Sequence, residues 1–547
     1  MKTRASSPVN WLFLIGLVLT TVIITPGTSF DPFNVSKFVV LTSLSFGLLG
    51  FLVTNVDLVK LYKMHKVVVL LLILFCLQSI FVLFNSKTAI VPQLFGADGR
   101  NTGFIFYLSL VVIFLFILTI QSDIKLNYLI YGLVFAGIFN ISYGLIQFLN
   151  LDPINWTNPH NRVFGFFGNP NFQSSFMAIV SAVFWSMLFS AQLKSLIRVL
   201  LMAGLVSTLF IIVVSDSIQG LIIYALGLVI ALFFKLISSQ RFKSLSILFL
   251  SISFLVAIVT VFDILQRTPW RSILYKESVS NRGDLWRSAW SMGVDNPVSG
   301  VGFDGFGNFY RQYRDSTAIL ERGAATTSNS AHNVFLDILT NGGFPLLIMY
   351  ILLNVMVFKS ILSFVKNSKE YDPFFTSIIS GWICYQIQSV ISINQIGIAI
   401  WGWVLGAAII SYERTKSYAN DGNGIYKLKK KKPNYIFQII GVSIGLVISI
   451  PSFLADSNFR ESVDSRRVEL VLQSAYKWPQ SPERMYQVAS LFNQNEIMDL
   501  AEQVAKDAVK KFPRSYENWQ LLSTIPTVSE TNKLFAIEQM QDLDPNS

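Results

Sequence analysis

Runs of about 20 consecutive apolar residues recur along the chain and alternate with short polar connections. Such a run is typical of a helix that crosses the hydrocarbon core of a bilayer, roughly 30 Å thick. The pattern therefore predicts an all-α, polytopic helical membrane protein with about 12–13 spans. The predicted spans lie near residues 10–28, 36–54, 66–84, 103–121, 127–149, 171–191, 196–214, 217–237, 245–266, 334–358, 374–393, 395–412 and 435–453.

Composition and charge support a multi-pass protein of the cytoplasmic (inner) membrane. The chain is 52% hydrophobic and 14% charged, whereas a soluble domain carries roughly a quarter charged residues. If the N-terminus with Lys2 and Arg4 lies inside, nearly all basic clusters between spans, including 427–432, also lie inside. The net charge of +11 then reflects topology, and no nucleic-acid partner is expected.

The chain divides into a membrane domain, 1–455, and a polar C-terminal segment, 456–547, which an odd number of spans places on the extracytoplasmic side. Pro479, Pro513 and Pro545 lie 34 and 32 residues apart, close to the tetratricopeptide period of about 34. The spacing predicts a tetratricopeptide-like helical domain. Such repeats bind protein partners, although a simple helical cap on the membrane domain fits the pattern equally well.

Two outer loops hold the polar residues that point to chemistry. In the loop 150–170, Arg162 lies between aromatic residues and an asparagine-rich turn. In the large outer loop 267–333, arginine strongly outnumbers lysine, and a planar guanidinium matches phosphate oxygens in a way that lysine does not. Both loops are therefore predicted to bind an anionic, lipid-borne substrate. The arginines of the large loop are Arg267, Arg271, Arg282, Arg287, Arg311, Arg314 and Arg322, against the single Lys276.

His332 is the predicted general base. It precedes the span 334–358, where a cap at Ser328 or Ser330 would place the positive end of the helix dipole beside it. This dipole and the nearby arginines would keep the imidazole neutral near pH 7, as a base requires. His160 lies on the same predicted face and is the reserve candidate, whereas His65 lies on the inner face.

The motifs Arg162-x-x-Gly165, Asn281-Arg282-x-x-x-Trp286 and Ala331-His332-Asn333 occur in an order that resembles the O-antigen ligase and polymerase superfamily. The resemblance covers residues 100–415. It implies a membrane glycosyltransferase in which His332 is the base and Arg162 and Arg282 hold an undecaprenyl pyrophosphate-type donor. The additional candidate substrate-binding residues are Arg287, Asn169, Asn171, Asn333 and His160.

The same resemblance leaves the acceptor open, because the additional span and the C-terminal segment lie outside it. A lipopolysaccharide ligase, a surface polysaccharide polymerase and a protein O-oligosaccharyltransferase all fit, with a glycan, lipid or protein hydroxyl as acceptor. No metal and no cofactor is expected. A transporter or flippase is the alternative from another class, but the predicted spans almost lack the acidic residues and histidines typical of proton-coupled transporters. A non-catalytic scaffold that presents the C-terminal segment is a further alternative.

Overall fold

A computed structural model describes residues 8–120, 123–156, 158, 162–238, 244, 282–367, 370–420 and 435–546. These residues contain helices, turns and irregular connections but no β-strand. The predicted all-α class is therefore confirmed. The predicted span 245–266 lies outside the described residues, as do His160, Arg267, Arg271 and the basic cluster 427–432.

Up to Ser465, the described residues form seventeen α-helices, numbered here in chain order. They are α1 (Pro8–Val22), α2 (Val35–Asn55), α3 (Leu58–Met64), α4 (Lys66–Asn85), α5 (Ile90–Phe95), α6 (Phe104–Leu118), α7 (Asp123–Phe148), α8 (Pro170–Leu188), α9 (Ser195–Val214), α10 (Ile218–Ile237), α11 (Arg282–Asp295), α12 (Phe306–Tyr313), α13 (Ser316–Arg322), α14 (Val334–Asn367), α15 (Pro373–Ile391), α16 (Ile396–Asn420) and α17 (Tyr435–Ser465). Five helices follow: α18 (Val468–Tyr476), α19 (Pro482–Gln494), α20 (Met498–Lys511), α21 (Tyr516–Thr524) and α22 (Glu530–Leu543).

Nine of the described helices are long and apolar enough to cross a membrane: α2, α4, α7, α9, α10, α14, α15, α16 and α17. Each coincides with a predicted span. Helices α1 and α6 also coincide with predicted spans, but their 15 residues rise only about 22 Å. Helix α8 is a further match that is richer in serine and mostly buried.

The bundle is built around α16, whose apolar stretch Ile396–Lys416 is 94% buried. Helix α6 is also almost wholly buried. Helix α17, in contrast, is mostly exposed in its apolar stretch and packs against α2 through glycines. A Cβ atom at Gly50 would lie 2.2 Å from the Phe437 carbonyl oxygen, and one at Gly441 would lie 2.2 Å from that of Phe46. Small residues thus allow the two backbones to approach closely.

Helix α14 is broken near its start by Gly342 and Gly343. Gly343 adopts φ +69°, and a Cβ atom there would lie 2.4 Å from the Pro297 carbonyl oxygen. The same carbonyl accepts a hydrogen bond from the Phe344 N–H at 2.8 Å. The segment 334–341 is therefore a short, separately held helical piece, and His332 lies directly before it.

The C-terminal helices α18–α22 pack around a hydrophobic core of their own. Helix α17 runs through the predicted domain boundary at 455 and ends only at Ser465. Helices α19 and α20 lie between Pro479 and Pro513, in agreement with the two-helix spacing. Their assignment as tetratricopeptide-like repeats stays a prediction.

Candidate active site

His332 lies just before α14 in a connection that is fixed on both sides. The Asn333 side-chain oxygen accepts hydrogen bonds from the N–H groups of Phe335 at 3.0 Å and Leu336 at 3.2 Å, so Asn333 caps α14. One residue before His332, the Ala331 N–H donates to Asp337 Oδ1 at 2.8 Å. The imidazole is therefore carried by a backbone with little freedom to move.

The predicted cap at Ser328 or Ser330 is wrong. The Ser330 hydroxyl accepts the His332 N–H at 3.2 Å, and the Ser328 hydroxyl donates to the Ser330 carbonyl at 2.8 Å. Both serines thus stabilise the loop that leads to His332. Asn333 takes the cap because its side chain is the one within reach of the first free N–H groups of the helix.

His332 is half-buried, and its backbone adopts a left-handed conformation with φ +52°. Burial lowers the pKa of His332 from its ordinary 6.5 to about 4, and the positive charges of Arg282 and Arg100 act in the same direction. The imidazole is therefore neutral at pH 7. It makes no hydrogen bond with the residues that the structure describes, which leaves its ring nitrogens open to a ligand.

Arg282 is the first residue of α11, and its side chain is buried and close enough to His332 for its charge to lower the pKa of the imidazole. Its Nη2 donates to Gln219 Oε1 at 3.4 Å, and Gln219 in turn donates to the Ser175 hydroxyl at 2.9 Å. Burial lowers the pKa of Arg282 to about 10, so it remains charged at pH 7. No carboxylate of the described part of the chain forms an ion pair with it. A buried cation without an acidic partner is suited to an anionic ligand.

Arg100 is a site residue that the sequence did not reveal. Its guanidinium donates to the carbonyl of Asn329, three residues before His332, and lies 3.8 Å from Asp304 Oδ1. Asp304 also accepts the Thr102 N–H at 3.2 Å, which links the connection between α5 and α6 to the connection between α11 and α12. An arginine in the otherwise little charged connection 96–103 is the one local signal that could have indicated it.

Arg162 is not in contact with His332 or Arg282. It forms an ion pair with Asp216 at 2.5 Å, and its side chain is 38% exposed. Asp216 lies three residues before Gln219, the partner of Arg282. The two predicted donor-binding arginines are therefore attached to neighbouring positions, Arg162 to the turn between α9 and α10 and Arg282 to the first turn of α10.

The predicted substrate-binding residues have partners within the protein. Asn169 caps α8 and accepts the Asn171 N–H at 2.8 Å, while the Asn171 side chain accepts the Ser217 hydroxyl at 2.9 Å. Arg287 forms ion pairs with Asp284 and, at 3.3 Å, with Asp315. A role for any of them, or for Asn333, in substrate binding stays a prediction.

Residues 203–351 match the family described as O-antigen ligase. The matched part contains Arg282, Arg287 and His332. Arg100 and Arg162 precede it in the chain. No curated protein matches the chain. The resemblance predicted from the ordered motifs is confirmed for this part of the chain: it is similar to the O-antigen ligase family, and the similarity indicates a membrane glycosyltransferase of the ligase or polymerase type.

Proposed function

We propose that this protein transfers a glycan from a polyprenyl pyrophosphate to an acceptor hydroxyl on the outer face of the cytoplasmic membrane. The observation that carries the proposal is the neutral, half-buried imidazole of His332 beside the guanidinium of Arg282, which no described carboxylate neutralises. A base and a fixed cation side by side suit a reaction that releases a proton and an anionic leaving group together.

In the proposed reaction, the acceptor oxygen attacks the anomeric carbon of the donor sugar. The bond between that carbon and the phosphate oxygen breaks, and polyprenyl pyrophosphate leaves with the bonding electrons. His332 takes the proton of the acceptor hydroxyl. Arg282 and Arg100 stabilise the negative charge that develops on the pyrophosphate, and Arg162, in the connection between α7 and α8, binds it in exchange for its ion pair with Asp216.

The arginines also couple donor binding to the strength of the base. In the unliganded protein, they contribute to the low pKa of His332. A bound pyrophosphate offsets their charge and raises that pKa towards its ordinary value. His332 is thus a weak base until the donor arrives and a stronger one afterwards, which favours proton removal in the loaded site.

The test is turnover by purified protein supplied with a polyprenyl-pyrophosphate glycan and candidate acceptors. We expect glycan transfer with release of one polyprenyl pyrophosphate per transfer, and the same rate in the presence of a chelator. Lipid, glycan and protein acceptors distinguish the ligase, polymerase and oligosaccharyltransferase alternatives. Movement of the intact donor across liposomes without transfer would instead support the flippase alternative.

The proposal requires the site and helices α18–α22 to lie outside the cytoplasm, as the distribution of basic residues predicts. A reporter fusion at residue 470 should show alkaline phosphatase activity, and one at residue 425 should show none. The reverse result would place His332 on the side of the membrane where nucleotide sugars are made, and would contradict a lipid-linked donor.

A further inference from the structure

A cleft of about 520 Å³ lies beside the candidate active site, between the C-terminal ends of α7 and α9. Its volume falls within the range of roughly 300–1,000 Å³ that is typical of small-molecule sites. Arg162 lines it, and Gln219 in the first turn of α10, three residues after Asp216, binds Arg282. We call it the Trp156 cleft; its other polar and aromatic lining residues include Gln147, Asn150, Asp152, Asn155, Trp156 and Asn158.

Four side-chain amides, those of Gln147, Asn150, Asn155 and Asn158, line the Trp156 cleft. Amide side chains both donate and accept hydrogen bonds, and sugar hydroxyls do the same. Among the described lining residues, Arg162 carries the one guanidinium, and it lies at the edge that adjoins Asp216, so a pyrophosphate bound at this edge leaves the amides for another part of the substrate. Sugar rings match this combination of amides and an aromatic ring best.

Trp156 is held rigidly within the cleft. Its indole N–H donates to the Tyr143 hydroxyl at 3.0 Å and to Asp152 Oδ2 at 3.1 Å. The ring stacks on Phe33 with centroids 4.9 Å apart and meets Phe164 edge-on. An aromatic surface fixed in advance loses little conformational freedom when a ligand binds.

Polar groups remain for a ligand around this ring. Asn155 is exposed, and its amide makes no hydrogen bond to any other described residue. Asp152 Oδ1 accepts the Ile154 N–H at 3.0 Å and, as a carboxylate oxygen, can accept a further hydrogen bond. The cleft therefore presents a fixed aromatic ring, an open amide and an acceptor close together.

We propose that the Trp156 cleft binds sugar residues of a glycan substrate. The proposal rests on the glycosyltransferase function above, and it adds a binding site for the carbohydrate next to the site for the pyrophosphate. Both the glycan of the donor and a glycan acceptor have this chemistry, and the kinetic experiment below distinguishes them.

The direct test is calorimetric binding of two probes to the full chain in lipid nanodiscs. The first probe is the oligosaccharide released by mild acid from the lipid-linked donor of the same cells; the second is undecaprenyl pyrophosphate without sugar. We expect Trp156→Phe and Asn155→Ala each to weaken oligosaccharide binding by about three- to tenfold, the scale of one lost stacking or hydrogen-bond contribution. Binding of the second probe should not change.

Matched controls are Trp290→Phe and Asn495→Ala, which alter an exposed tryptophan and an exposed asparagine outside the cleft. They should leave the affinity for the oligosaccharide unchanged. Equal affinity in wild type and both cleft variants would overturn the proposal, as would a wild type that does not bind the oligosaccharide. A comparable loss of undecaprenyl pyrophosphate binding would also overturn it, because the cleft would then belong to the pyrophosphate site.

Steady-state transfer assays identify which glycan occupies the cleft. If the donor glycan lies there, the cleft variants raise the KM for the donor; if the acceptor glycan lies there, they raise the KM for the acceptor. Either result supports the proposal, and unchanged KM values for both contradict it. Failure of the glycosyltransferase function would be seen separately, as the absence of glycan transfer by the wild type while oligosaccharide binding persists.

Discussion

Two pairs of arginines lie on the same side of the bundle and differ in what they face. Arg311 and Arg314 both bind the carboxylate of Asp544, which is wholly buried near the C-terminus, with Arg311 Nη1 at 3.3 Å. Arg282 and Arg100 instead flank a neutral imidazole, and Asp304 at 3.8 Å from Arg100 is the only carboxylate that an ion pair joins to either among the described residues.

The difference distinguishes arginines that stabilise the fold from arginines that can bind a ligand. At Asp544, each positive group meets an acid, so the cluster joins the C-terminal helices to the large outer loop and leaves little field for a ligand. At His332, no carboxylate among the described residues forms an ion pair with Arg282, and a pyrophosphate can supply a negative charge there. A count of arginines in the loop would not distinguish the two pairs.

Removal of the imidazole should give the largest effect. His332→Ala is expected to lower glycan transfer by about two to four orders of magnitude, the usual scale for the loss of a general base. Binding of the lipid pyrophosphate should persist, because Arg282 and Arg100 remain. The measurement is the single-turnover rate in detergent, and a rate within threefold of wild type would remove His332 from the chemistry.

The ion pairs of Arg311 and Arg314 with Asp544 should contribute to the stability of the C-terminal helices. Asp544→Ala leaves Arg311 and Arg314 buried without their shared acid, and breaking a buried pair costs about 3–5 kcal/mol. Hydrogen exchange of the amides in α21 and α22 measures the change in opening free energy. Asp464→Ala is the matched control, since its pair with Arg460 is exposed and should contribute less than about 1 kcal/mol. Similar changes in both variants would show that the buried cluster does not hold the C-terminal helices.

The function of Arg282 and Arg100 should depend on the planar shape of the guanidinium and not only on its charge. Arg282→Lys and Arg100→Lys keep the positive charge but lose the planar fork that binds two phosphate oxygens. We expect each to lower kcat/KM for the donor by about ten- to a hundredfold, as expected for a lost hydrogen bond to a charged group. Wild-type values in both lysine variants would indicate that the arginines act only as a diffuse positive field.

The smallest expected effect is a change in pH dependence. The free base is deprotonated above its pKa of about 4, so kcat/KM should fall as the pH decreases through that value. Arg282→Gln removes a neighbouring positive charge and raises the pKa of His332, which moves the fall in kcat/KM to higher pH. Arg287→Gln should leave the pH at which kcat/KM falls unchanged, because Arg287 is not among the charges that lower the pKa of His332. Equal shifts in both variants would contradict the assignment.

Much of the fold could be predicted from the sequence because hydrophobic length alone defines a spanning helix. His332 and Arg282 could also be predicted, because both lie between the same two predicted spans and within an ordered set of motifs. Arg100 could not, since it reaches Asn329 across more than 200 residues. The ion pair between Arg162 and Asp216 could not be predicted either, because it joins two segments that are distant in the sequence. The helix cap failed as a prediction because serine and asparagine are almost equally good caps, and only the geometry selects Asn333.

The left-handed backbone conformation of His332 lowers stability at a position where the imidazole is needed for activity. A left-handed conformation costs a residue with a branched or bulky side chain about 1–2 kcal/mol, whereas asparagine adopts it readily. The natural residue is therefore not the one that the local backbone favours most. An inactive His332→Asn protein should be at least as robust as the active one, which would make it a convenient form in which to trap the enzyme with an unreacted donor.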